Sequence, residues 1–195
     1  MKISASVYSN SSKPLEELVK ELDSYRVDYF HIDCNDDVSV FDDITRIRKI
    51  SKTPIDLHII SPTPEKFYDG IARTKTELVC FQFENLKADL KVPKDIVSKL
   101  GLAIVSETPV EKFHDFKKDF DFVLFMTTTP GKSGGKFNKE NFKKIRQFKS
   151  EFPNSKIHVD GGVNDEVSFV LRNMGVSLIV SGSYLVNADY VGLAL

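Results

Sequence analysis

The sequence has no excess of either charge: 27 lysines and arginines stand against 28 aspartates and glutamates, a net charge of -1. That balance supplies no long-range field to gather nucleic acid or an anionic membrane, so the expected ligand is small. No apolar run reaches the length that spans a bilayer, and residues 1–14 hold no continuous apolar stretch of signal-peptide length. The chain is therefore expected to be cytoplasmic. There are only two cysteines, Cys34 and Cys80. Both lie in apolar runs and lack C-x-x-C spacing, which reads as two buried thiols and excludes a redox or zinc motif. Linkers, low-complexity tracts and composition breaks are also missing. With 195 residues and 41% hydrophobic content, the expectation is one compact domain over residues 1–195.

What the chain does contain is an alternation of short β-rich runs and amphipathic segments. The strand candidates are Ile3–Tyr8, Tyr29–Cys34, Ile55–Ile60, Leu78–Phe83, Leu102–Ser106, Phe122–Thr127, Lys156–Val159 and Leu178–Ser181. Between them, leucines at 15, 18 and 22 make one helical face. Further helices are expected over Phe41–Ile50, Pro64–Ala72, Pro93–Leu100, Val110–Lys118, Asn141–Phe152 and Glu166–Met174, several opened by proline or a capping residue. Strands alternating with helices indicate βαβ units and a parallel sheet. Eight units suit a closed (β/α)8 TIM barrel better than an open sheet, which usually stops at five or six strands. Only nine residues follow Val186, so the last helix is expected to be short or absent.

In such a barrel the chemistry sits at the C-terminal ends of the strands. Strand two ends in His31-Ile32-Asp33-Cys34, and alternation turns His31 and Asp33 to one side while Ile32 and Cys34 face the helices. His58 stands at the matching height on strand three, and strand seven ends at Asp160. Asp28 and Asp56 lack strand-end placement and are expected to face helices or solvent. A single histidine is more often a satisfied core residue than a ligand. Two imidazoles and two carboxylates converging from three strands reverse that reading. They form a mixed nitrogen and oxygen donor set suited to one divalent metal ion, zinc, iron, cobalt or manganese, with open positions for substrate.

Three glycine-bearing segments follow strands six, seven and eight: Gly131-Lys132-Ser133-Gly134-Gly135-Lys136, Asp160-Gly161-Gly162 and Ser181-Gly182-Ser183. Glycine lets backbone N–H groups approach an anion closely, so these are candidate phosphate loops. The first is not a nucleotide P-loop, being one residue short and carrying Phe137 where Ser or Thr is needed. The lysines between 136 and 149 alternate with Phe142, Ile145 and Phe148 and read as the solvated face of a helix. Phe113, Phe116, Phe120 and Phe122 read as packing.

These motifs, in this order, resemble the ribulose-phosphate 3-epimerase family over nearly the whole chain. Ser6 matches a serine on strand one, His31 and Asp33 a His-x-Asp, and His58 a histidine on strand three. Met126-Thr127-Thr128-Thr129-Pro130-Gly131, Val159-Asp160-Gly161-Gly162-Val163 and Val180-Ser181-Gly182-Ser183 match the last three strands and their loops. The resemblance implies proton transfer at C3 of a ketose phosphate through an enediolate, with a divalent metal as Lewis acid. By the same resemblance Asp33 and Asp160 are the two acid/base groups as well as metal ligands beside His31 and His58. Ser6, His58, Met126, Gly131, Lys132, Ser133, Gly134, Gly161, Gly162, Gly182 and Ser183 become substrate-binding. A sugar phosphate is the implied partner, and a homo-oligomer the implied assembly.

Departures from the family pattern gather around the substrate. Asn35-Asp36-Asp37 replaces Met-Asp-Gly and a longer covering loop. Ile60 and Gln82 stand where Met and His are common, and Lys132-Ser133-Gly134-Gly135 replaces Phe-Gly-Gly-Gln. Another ketose phosphate, or a sugar-phosphate binder without turnover, is thus an alternative to D-ribulose 5-phosphate. Aldolases, decarboxylases and synthases on related barrels ordinarily want a strand-end lysine, and none is present.

Overall fold

The computed structural model describes residues 1–9, 12–87, 90–116, 119–132 and 135–187. Eight parallel strands close in sequence order into a barrel: β1 (Lys2–Ser6), β2 (Tyr29–Cys34), β3 (Ile55–Ile59), β4 (Leu78–Gln82), β5 (Lys99–Val105), β6 (Phe122–Met126), β7 (Lys156–Asp160) and β8 (Leu178–Ser181). This is the TIM barrel expected from the alternation. The α-helices among the described residues are α1 (Leu15–Ser24), α2 (Val40–Ile50), α3 (Tyr68–Thr74), α4 (Asn141–Glu151), α5 (Asp165–Asn173) and α6 (Ser183–Asn187). Of the nine residues after Val186, those numbered 188–195 lie outside the described residues. No helix of the described residues is long and apolar enough to cross a membrane.

Strand parity divides the core in two. Odd-numbered strand residues such as Ile3, Phe81 and Ile157, with the even-numbered Phe30 and Ile32 of β2, bury against Leu18, Leu22, Ile44, Ile47, Ile145 and Phe148 of the helices. Their neighbours one residue along each strand point inward, where Leu78, Cys80, Ala103, Phe122, Leu124, Met126, Leu178 and Val180 form a separate apolar cluster. Both cysteines are free and buried, as read, Cys34 toward the helices and Cys80 inside the barrel. Among the phenylalanines read as packing, Phe113 meets Phe148 and Phe152 edge-on with ring centroids 5.1 and 5.2 Å apart. Phe122 lies instead inside the barrel, stacked on His158 at 4.1 Å.

Three crossovers depart from expectation. Pro93–Leu100 is not a helix: it makes a turn and then enters β5, which begins at Lys99. The apolar spacing there came from Ile96 and Leu100, but Ser98 Oγ donates to the Thr76 carbonyl at 2.5 Å and Lys99 N–H to the Glu77 carbonyl at 3.0 Å, drawing the segment into the sheet. Val97, which a helix would have to place, is 84% exposed. The segment from Val110 forms a 3-10 turn, Val110–Asp115, and Lys118 lies outside the described residues. Pro64–Ala72 splits into a 3-10 turn, Pro64–Phe67, and then α3.

Phe122 fills the space that Gly101 leaves on the adjoining strand, since a Cβ at Gly101 would strike its ring. Phe122→Ala is expected to cost about 3–5 kcal/mol of unfolding free energy. Urea denaturation of the two proteins measures it, and a loss under about 1 kcal/mol would show that the interior cluster collapses around the hole.

Candidate metal centre and cavity

Register builds the site. In the β2–β3 ladder Asp33 stands opposite His58 and His31 opposite Asp56, so four polar side chains share one interior face. Asp160, the last residue of β7, pairs with Met126 of β6 and Val180 of β8. The β6 end holds it in place, for Thr127 N–H donates to the Asp160 carbonyl at 2.7 Å, and Thr127 Oγ1 donates to the same oxygen at 3.0 Å and to Gly161 O. One ligand atom from each of His31, Asp33, His58 and Asp160 then lies within 4.8 Å of the other three.

The imidazoles are oriented from behind. His31 Nδ1 donates to Asp56 Oδ2 at 2.9 Å, and Ser4 Oγ donates to that same oxygen at 2.8 Å. This turns His31 Nε2 toward the cluster, 3.4 Å from Asp33 Oδ1 and 3.7 Å from Asp160 Oδ2. Nε2 is buried and has no hydrogen-bond partner. A buried, unpartnered ring nitrogen facing two carboxylates fits a divalent cation, which would take the place of a proton there. His58 places Nδ1 3.1 Å from Asp33 Oδ1 and Nε2 2.9 Å from Gln82 Oε1.

The charges of the cluster act on one another. Burial pulls His31 down, but Asp56 and Asp33 outweigh it and hold the imidazolium well above the ordinary histidine range. Burial opposes ionisation of Asp33 too, yet His31 and His58 hold its carboxyl well below the usual range. Asp160 goes the other way: burial raises it, and the Asp33 charge adds to that against the pull of His31. His158, one layer down the barrel, is pushed down to about 4 by burial and stays neutral.

Over this cluster opens a cavity of about 750 Å³. Of the residues expected at the site, Ser6, Asp33, Gly131, Lys132, Asp160, Gly161, Gly162, Gly182 and Ser183 line it. His31 and His58 lie buried beneath it, and Met126 sits in the interior apolar cluster. Ser133 and Gly134 lie outside the described residues. Gly161 and Gly162 have φ of 112° and 62°, values that glycine tolerates. A Cβ at Gly162 would also run into the backbone of Gly135, Lys136 and Phe137, so glycine there lets the two loops close on each other.

Sequence reasoning misplaced one residue and overlooked others. Asp56 faces neither helices nor solvent: it is 3% exposed inside the barrel, because it lies two residues from His58 and must share its face. Asp28 is exposed and accepts the Ile3 N–H at 2.9 Å, in line with the solvated alternative. Ser4 and His158 were findable by the same parity, being two residues before Ser6 and Asp160. Asn35 also lines the cavity, with its side chain packed where a Cβ of Gly131 would stand, a contact between distant loops that no local spacing announces.

Known proteins resemble this chain in sequence and in fold. The sequence model of the ribulose-phosphate 3 epimerase family matches residues 2–186. The ribulose-phosphate 3-epimerase of Methanocaldococcus jannaschii is 29% identical over 208 residues, covering 100% of this chain and 88% of that protein. That of Schizosaccharomyces pombe is 26% identical over 200 residues, covering 96% and 88%. Among solved structures, a 3-hexulose-6-phosphate synthase superposes with a TM-score of 0.69 at 15% identity, covering 97% of this chain and 93% of that one. A phosphoribosyl anthranilate isomerase from Thermus thermophilus gives 0.67 at 10% identity, covering 94% and 88%. At such identities the structures share the fold alone.

The buried charges set a pH dependence for the metal-free protein. Asp160 has a raised folded-state value, so between the ordinary carboxylate range and that value the native state holds the extra proton, and stability falls as pH rises through the window. Asp160→Asn is therefore expected to stabilise the metal-free protein at pH 7–8, on the order of 1–3 kcal/mol, with the gain fading below about pH 4. Denaturant titrations at the two pH values, in the presence of a chelator, check it. A gain of equal size at both would mean that ionisation of Asp160 is not penalised.

Proposed function

This chain belongs to the ribulose-phosphate 3-epimerase family, and on that premise we propose that it is a metal-dependent sugar-phosphate 3-epimerase inverting C3 of a ketose phosphate, with D-ribulose 5-phosphate to D-xylulose 5-phosphate as the default reaction. Membership makes it an isomerase acting on carbohydrates. The observation that carries the finer reading is the convergence of Asp33 and Asp160, from strands separated by β1 and β8, on one cluster beside two imidazoles.

Inversion requires a proton to leave one face of C3 and another to arrive at the opposite face, so it needs two acid/base groups across the substrate. Asp33 and Asp160 are assigned those roles. A divalent ion held by His31, Asp33, His58 and Asp160, whether zinc, iron, cobalt or manganese, supplies Lewis acidity that makes the C3 proton removable. Phosphate is assigned to the loops of Gly131, Lys132, Ser133 and Gly134, of Gly161 and Gly162, and of Gly182 and Ser183, where backbone and one lysine ammonium meet the anion and hold C3 between the carboxylates. Ser6 and Met126 complete the proposed substrate contacts. A homo-oligomer is proposed on family grounds.

The test is incubation with a panel of ketose phosphates in deuterium oxide, followed by NMR. Deuterium at C3 with inversion is expected for one member of the panel, and turnover should vanish on chelation and return on adding a divalent metal. Asp33→Asn and Asp160→Asn are each expected to lower kcat by about 10²–10⁴-fold. Tight binding of sugar phosphate with no exchange at C3 for any member would replace this reading with a binding protein.

A further inference from the structure

Behind His58 lies a second set of polar residues that no acid/base role uses. Gln82 ends β4 and is 1% exposed, and its Oε1 lies 2.9 Å from His58 Nε2. Its amide nitrogen donates to Glu84 Oε2 and, at 3.5 Å, to the carbonyl of Ala103. Glu84 is fixed in turn, its Oε1 accepting the Val105 N–H at 3.0 Å and the Thr108 hydroxyl.

A carboxylate and a carbonyl can only accept, so the NH2 end of Gln82 must face Glu84 and Ala103. The carbonyl end is then left for His58, whose Nε2 has to be the donor. In the neutral ring that can ligate a metal, the one proton is then committed to Nε2, and Nδ1 keeps its lone pair and directs it into the cluster, 3.1 Å from Asp33 Oδ1. Two atoms that both offer lone pairs at that distance are relieved by a cation shared between them. On the far side Asp56 fixes His31 in the opposite sense, with Nδ1 protonated and Nε2 offered.

We propose that Glu84 and Gln82 are positioning residues that set the tautomer of His58, so that it ligates through Nδ1. The metal reading above is the ground this stands on. The histidine that the family pattern commonly carries at position 82 could donate or accept toward His58, whereas a glutamine anchored by a carboxylate only accepts. Glu84 thus acts through two hydrogen bonds on a ligand that it does not touch.

The test titrates the metal-stripped full chain with cobalt(II), reading affinity by competition with a chromophoric chelator. Gln82→Met, which removes the acceptor at little change in volume, is expected to weaken cobalt binding about 10–100-fold, the usual effect of losing the partner behind a ligating histidine. Glu84→Gln leaves the Gln82 amide free to flip and is expected to weaken it about 10-fold. The double variant Gln82→Glu/Glu84→Gln restores an obligate acceptor toward His58, now held by an amide donor, and is expected to recover wild-type affinity within about threefold. A merely structural role would not give that recovery. Proton–nitrogen correlation spectra of the zinc-loaded wild type should show His58 protonated at Nε2 and metal-bound at Nδ1. Should Gln82→Met fail to fold, the other two proteins and the spectra decide. Wild type that binds no cobalt overturns the metal reading and this one together. Wild type that binds, with Gln82→Met and Glu84→Gln binding equally well, or with His58 ligating through Nε2, overturns this one alone.

Discussion

Burying His31 inside a barrel is costly unless each ring nitrogen meets something that compensates its polarity, and the strand ends are arranged around that requirement. Asp56 answers Nδ1 from β3, supported by Ser4 from β1, while Nε2 is aimed between the carboxylates of β2 and β7. Parallel strands in register bring these groups to neighbouring heights without any local motif linking them. If one of these strands slipped by a single residue, every group it contributes would pass to the helix side. The charge cluster and the topology therefore depend on one another: the barrel holds the groups together, and their mutual neutralisation makes so polar an interior tolerable.

Much of this was legible in the sequence because both signals involved are short-range. Alternation of apolar runs gave eight strands, and strand-end placement singled out His31, Asp33, His58 and Asp160 as a set. Two kinds of information were not legible. Asp56 was misplaced because strand-end position was weighed above parity, although its spacing from His58 decides the matter. The helix expected over Pro93–Leu100 failed for a different reason: Ser98 and Lys99, between the two apolar residues at helical spacing, hydrogen-bond to Thr76 and Glu77, partners some twenty residues away in the chain. Tertiary pairing overrides weak local periodicity wherever the amphipathic face is that thin.

Gln82 occupies middle ground. As a departure from a family pattern it was visible at once, but its meaning depends on which end of an amide faces which neighbour. That is fixed by Glu84, two residues on, and by Ala103 on the adjoining strand, so the consequence appears only when β3, β4 and β5 are side by side. The replaced loop after β2 is similar. Its residue Asn35 packs against Gly131 of the β6 loop, so what covers the cavity on one side is now a contact between two loop tips.

The barrel interior is unevenly shared between the strands. Ser4, His31, Asp33, Asp56, His58 and Gln82 come from β1–β4, with His158 and Asp160 on β7, whereas β5, β6 and β8 contribute Ala103, Phe122, Leu124, Met126, Leu178 and Val180, to which β4 adds Leu78 and Cys80. The polar side chains burden folding, and the apolar ones supply area that favours it. Efforts to harden this enzyme against heat thus have a natural target, since repacking the interior hydrocarbon layer apart from Met126 can raise the melting point while leaving reactive groups untouched, and variation drifting through the polar side chains will surface first as lost chemistry rather than as lost solubility.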